Sequence, residues 1–67
     1  MNLKLNYIYI FDKESIFRSD PFKGKVIEVT ETTYVISNLD TKAKIRYLKS
    51  EFDSSYVILE EISEASQ

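Results

Sequence analysis

Hydrophobic and polar residues alternate with a period near two along most of this chain, the pattern of half-buried β-strands rather than of helices. In the first stretch, Leu3 to Phe11, the residues Leu3, Leu5, Tyr7, Tyr9 and Phe11 share one face. Ile8 and Ile10 make the opposite face apolar too, so the second half of this strand is expected to be covered on both sides. Asp12 to Pro21 is a polar excursion whose Ile16 and Phe17 are expected to tuck it onto the core. Phe22 to Glu31 predicts a second strand with Val26, Ile27 and Val29 as its apolar content. The lone Gly24, between Lys23 and Lys25, points to a bulge or sharp bend and not to a ligand loop.

A third strand, Thr32 to Ser37, is centred on Tyr34, Val35 and Ile36. The break before it is inferred, because Thr30 to Thr33 contains no glycine or proline. Asn38-Leu39-Asp40-Thr41-Lys42 is the clearest turn, since Asn and Asp tolerate the conformations hairpins require. The fourth strand alternates most cleanly, with Ala43, Ile45 and Tyr47 inward and Lys44 and Arg46 outward, until Leu48 breaks the outward row. Ser50-Glu51-Phe52-Asp53 resembles a capped helical turn, its Ser and Asp three apart. Tyr56 to Leu59 predicts a fifth strand; the alternative is a short terminal helix continuing through Glu60 to Ala65. Ser63 to Gln67 reads as a polar tail, which leaves residues 1–62 as a single domain.

This order of long strand, polar loop, three-strand meander, tight turn and last short strand resembles the SH3-like small barrel. The Asp12–Pro21 excursion stands in the place of that barrel's long first loop. The expected fold is therefore all-β: a small SH3-like five-stranded antiparallel barrel, with a short helical turn near residues 50–54. Gly24-x-Val26 at the start of strand two is also similar to the KOW-type barrels of ribosome and transcription factors. An OB-like barrel is a further alternative, for which the chain is small. Signalling SH3 domains grip proline-rich peptides with an acidic-aromatic loop and a tryptophan. The chain contains no Trp, so that activity does not carry over.

Composition agrees with β structure. Eight Ile, four Val and four Thr, with nine Tyr and Phe, outweigh two Ala, five Leu and one Met. The chain has no Cys and no His, which excludes disulfides and the usual zinc sites. A domain of 67 residues must then rely on good packing or on a partner. Charged residues make up 30% of the chain, and its longest apolar run, Tyr7 to Phe11, is far short of the roughly 18 residues of a spanning helix. That run is also too short for a secretory leader. The expectation is a soluble, cytoplasmic protein with no membrane attachment and no small-molecule cofactor.

The residue inventory argues against catalysis. No His supplies a base, and no Ser-x-x-Lys pair replaces one. On a strand Glu60 and Glu61 point to opposite faces, and Glu51 and Asp53 fall on an exposed turn where solvation or capping suits them. A single Gly cannot build a phosphate cradle, and the carboxylates lack the spacing of a calcium loop. The chain is expected to be no enzyme, with no catalytic residue and no metal ligand.

Charge and aromatic content carry the functional candidates. Net charge is −2, yet residues 42–50 hold Lys42, Lys44, Arg46 and Lys49 with no acid, while 51–67 hold five acids and no base. In a meander, Lys44 and Arg46 are expected to face Glu28 or Glu31 across the sheet. The first functional reading is a protein-binding module, a subunit, adaptor or regulator of something larger or a self-associating chain. Nine aromatic rings strain the capacity of so small a core, and a Tyr7-Ile8-Tyr9-Ile10 surface or an open edge on the first strand would dock a protein. The alternative is a nucleic-acid-binding barrel, with Lys42, Lys44, Arg46 and Lys49 on phosphates and an exposed Tyr34 or Tyr56 stacked on a base. A pI near 5.0 runs against it, since phosphate-binding domains are usually basic. A second alternative is an acidic inhibitor or DNA mimic of a virus or mobile element, presenting Glu28, Glu31, Glu51, Asp53, Glu60 and Glu61.

Overall fold

The computed structural model describes residues 1–13 and 20–64. The expected tucking of Ile16 and Phe17, and the tail beyond residue 64, lie outside the described residues. Five strands form: β1 (Tyr7–Lys13), β2 (Phe22–Val29), β3 (Thr33–Asn38), β4 (Lys44–Leu48) and β5 (Tyr56–Glu64). One helix, α1 (Lys49–Ser55), links β4 to β5. The strands make one antiparallel sheet in the order β4-β3-β2-β1-β5. The all-β expectation and the strand assignment for Tyr56–Leu59 both hold, and β5 runs on to Glu64, into the expected tail. The expected closure into a barrel is not observed among the described residues: there β4 and β5 are the two edges of an open sheet.

Local chemistry explains where the strands stop. Asn6 adopts a left-handed φ of 68°, which Asn tolerates, so β1 begins at Tyr7 and not at Leu3. The preceding segment folds back instead. Its Lys4 amide donates to the Tyr9 hydroxyl at 2.9 Å and its Asn6 amide to the Val26 carbonyl at 2.8 Å. Leu3 is thereby buried while Leu5 is left exposed. Between β2 and β3 the missing glycine is replaced by a threonine turn, in which Thr30 Oγ1 accepts from the amide of Thr33 at 2.9 Å. Between β3 and β4, Asn38 Oδ1 accepts from the amides of Asp40 and Thr41 at 2.8 and 3.1 Å. The left-handed residue of that turn is Lys42, at φ 70°, and neither Asn38 nor Asp40.

Gly24 serves packing and not a bend. It pairs in regular register with Tyr9 and Asn38, and the irregularity of β2 falls between Val26 and Glu28. A Cβ at position 24 would lie 2.7 Å from Ile36 Cγ2 and 3.2 Å from the rings of Phe11 and Phe22. Only glycine lets those side chains close over the strand.

The inner face of the sheet carries the core: Tyr9, Phe11, Val26, Tyr34 and Ile36, with Leu3 and Phe52 packed against them. Phe52 is its hub. Its ring stacks on Tyr56 at 4.6 Å, lies 4.8 Å from Tyr47, and meets Phe11 and Tyr34 edge-on at 5.1 and 5.9 Å. A seven-residue helix is too short to persist alone, and the expected Ser50 cap is absent because Leu48 occupies the N-cap without a side-chain bond. Burial of Phe52 therefore holds α1 in place. The helix crosses between the two edge strands, and Tyr47 of β4 approaches Tyr56 of β5 to 6.0 Å beside it.

Candidate interaction surfaces

Strand alternation divides the candidate docking residues of β1 between two faces. Tyr9 is 1% exposed and belongs to the core, so it cannot form part of a docking surface; its hydroxyl is occupied by the Lys4 amide. Tyr7 lies half-buried on the same face, 6.3 Å from the Tyr9 ring and beneath the Lys4 ammonium at 4.9 Å. Ile8 and Ile10 point the other way and are half-buried, with cross-strand neighbours Lys25 and Ser63 for Ile8 and Lys23 and Glu60 for Ile10. One contiguous Tyr7-Ile8-Tyr9-Ile10 patch does not exist.

The basic set is also dispersed. Lys44 and Arg46 sit on the outer face of β4, Lys42 lies in the preceding turn, and Lys49 opens α1. Arg46 is spent across the sheet: its Nη1 donates to Glu28 Oε2 at 3.0 Å and to Thr33 Oγ1 at 3.2 Å. This is the cross-sheet pairing expected from the charge pattern, realised for Arg46 with Glu28. Lys49 Nζ lies 5.3 Å from the centre of the Tyr34 ring. Tyr34 itself is 3% exposed, so the expected exposed stacking platform is corrected to a core ring whose hydroxyl donates to the Met1 carbonyl at 2.8 Å. Burial, reinforced by the nearby Asp53 charge, pushes the Tyr34 phenol above its ordinary value. Burial beside Tyr56 does the same to Tyr47.

The acidic residues do not gather either. Glu60 and Glu61 pair with Ile10 and Tyr9, hence on opposite faces, as expected for a strand. Glu61 lies 3.6 Å from Lys4, and Glu28 is engaged by Arg46. A cleft of about 410 Å³ opens between Asp12, Lys13, Asp20, Phe22, Asn38, Tyr47 and Tyr56. Two of its walls, Lys13 and Asp20, flank residues 14–19, which lie outside the described set. Among the described residues no group of three or more acidic side chains is placed to hold a metal ion. Among the described residues no helix is long and apolar enough to cross a membrane.

Exposed apolar side chains concentrate on the sheet edges. Of the large ones among the described residues (Met1, Leu5, Val29, Ile45, Leu48, Leu59 and Ile62), Ile45 and Leu48 belong to β4, and Leu59 and Ile62 to β5. The two on β5 coincide with its irregularities: register shifts opposite Ile10/Phe11 and Ile8/Tyr9 leave Leu59 and Ile62 as extra, unpaired residues. Strict alternation does not mark these two residues, because the ladder is broken at both. The one visible signal is Leu48, which interrupts an otherwise cationic row. The chain matches no family model, no curated protein and no solved structure.

Proposed function

We propose that this chain is a non-enzymatic, cytoplasmic protein-binding module of the SH3-like small-barrel type, and that it docks through the open edges of its sheet. The observation that carries this reading is the placement of Ile45, Leu48, Leu59 and Ile62. Four exposed large apolar side chains stand on two strands whose outer backbone groups have no partner strand among the described residues. Such edges are templates for strand addition, with backbone bonds giving affinity and side chains giving selectivity. The SH3-like assignment rests on the meander β1–β4 followed by a short helix and a β5 that returns to β1. In this reading α1 bridges the seam that a closed barrel would hydrogen-bond.

The test is capture of a native binding protein by wild type and by Ile45→Lys, Leu59→Lys and Ile8→Ser/Ile10→Ser variants. Edge docking predicts loss of the bound protein in the first two and retention in the third. Loss only in the Ile8→Ser/Ile10→Ser variant moves the site to the outer face. Retention on single-stranded DNA that falls steeply with salt, and disappears in Lys42→Glu/Lys44→Glu, replaces the reading with nucleic-acid binding.

A further inference from the structure

The two open edges carry opposite charge. β4 presents Lys44 and is flanked by Lys42 and Lys49, with Arg46 already paired to Glu28 and no acid from 42 to 50. β5 has acidic residues at positions 60, 61 and 64 and no base. We propose that the protein occupying these edges is a second copy of this chain, with β4 of one copy set against β5 of the next. The inference rests on the docking reading above and names its partner.

Charge selects the combination. Setting β4 against β4 would place cation rows side by side, and β5 against β5 would do the same with carboxylates. Like charges facing one another across strands are destabilising, whereas opposite ones attract and fix register. Only the β4–β5 combination is complementary. The faces agree as well. Lys44 and Arg46 stand opposite Ser37 and Val35, on the face that Arg46 shares with Glu28. Glu60 stands opposite Ile10, on that same outer face. A sheet continued from one copy to the next therefore brings Glu60 to the side on which Lys44 and Arg46 project.

Apolar content is matched too. Ile45 and Leu48 are 45% and 49% exposed on β4, and Leu59 and Ile62 are 49% and 39% exposed on β5. The extra residues Leu59 and Ile62 interrupt the β1–β5 ladder; irregularities of this kind blunt indiscriminate strand addition and favour a matched partner. Because each copy uses two different edges, the contact is heterologous and propagates into a ring or an open chain, not a two-fold dimer.

Sedimentation of the intact chain with a charge swap tests the proposal. Wild type is expected to rise to at least twice the monomer mass with increasing concentration, and the association is expected to weaken several-fold between roughly 0.05 and 0.5 M NaCl as screening shortens. Lys42→Glu/Lys44→Glu and Glu60→Lys/Glu61→Lys are each expected to remain monomeric alone and to associate when mixed, because the mixture restores unlike edges. Circular dichroism checks that both variants keep their sheet. Should either unfold, Ile45→Lys and Leu59→Lys take its place, and each must abolish self-association. A wild type monomeric at about 1 mM in low salt, a variant that still self-associates alone, or folded variants that do not associate on mixing overturns the proposal. A monomeric wild type that still captures a different native protein through Ile45 and Leu59 overturns self-pairing and leaves edge docking standing. Loss of both overturns both.

Discussion

The inner face of the sheet and its two edges are built on opposite terms. On the inner face, every strand contributes an aromatic or branched side chain to a core closed by α1, and Phe52 touches rings from β1, β3, β4 and β5. At the edges, Ile45, Leu48, Leu59 and Ile62 face solvent between Lys44 and Arg46 on one side and Glu60 and Glu61 on the other. The interior is built largely of aromatic rings, the exposed apolar edges of Ile and Leu alone. Apolar content here divides between a sealed interior that stabilises the monomer and open margins that contribute little to it.

The largest expected effect lies at the seal. Phe52→Ala removes the hub and with it the reason for α1 to form, and is expected to cost about 3–5 kcal/mol in urea denaturation. Full retention of stability would mean that the helix is held by something other than this ring. Gly24→Ala tests the same face from the opposite direction, since a Cβ would meet Ile36 Cγ2 at 2.7 Å. Overpacking there is expected to destabilise by about 1–3 kcal/mol, measurable as a lowered thermal midpoint.

Alkaline unfolding reads the sealed face through its tyrosines. The folded chain holds the Tyr34 and Tyr47 protons more tightly than the unfolded chain does, because burial disfavours both phenolates. Their contribution is fully present below about pH 10 and is lost as pH rises through the raised folded values. Stability should therefore fall more steeply above that pH in wild type than in Tyr47→Phe. Equal slopes would place Tyr47 in water.

The smallest effects are expected outside the seal. Arg46→Ala breaks an exposed pair with Glu28 and is expected to cost about 0.2–1 kcal/mol, diminishing with salt. Ile45→Lys and Leu59→Lys should shift monomer stability by no more than about 0.5 kcal/mol while removing edge docking. Large destabilisation by either would place that side chain in the core and erase the distinction between margin and interior.

The strands and the Asn38 turn were legible in the sequence because each depends on local alternation or on a single side chain bonding its own backbone. The opposition of Glu60 and Glu61 followed from the same alternation, and Arg46 with Glu28 is one of the cross-sheet pairings that the charge pattern allowed. What escaped depends on contacts distant along the chain. Tyr9 and Tyr34 are interior because a folded-back N-terminal segment and α1 cover them, and alternation alone does not say which apolar face is covered. Phe52, an aromatic that the sequence already suits to the core, sits in a polar stretch, Ser50 to Ser55, where nothing local marks it as the hub. The bulges at Leu59 and Ile62 belong to the pairing with β1 and leave no trace in the strand's own composition. The candidate site was legible only as a segregation of charge along the chain. That it falls on two opposite edges required the topology.

Residue-resolved hydrogen exchange of the intact protein, measured at low and at high concentration, tests the division between sealed face and open edges most directly. At low concentration, amides of Phe11, Val26 and Ile36 should exchange slowest, and the amides of β4 and β5 that point away from the sheet should exchange quickly. Raising the concentration should slow exchange on both edges together and leave the core unchanged. Outward β4 and β5 amides already protected in the dilute monomer, or protection that grows on one edge alone, would contradict the account.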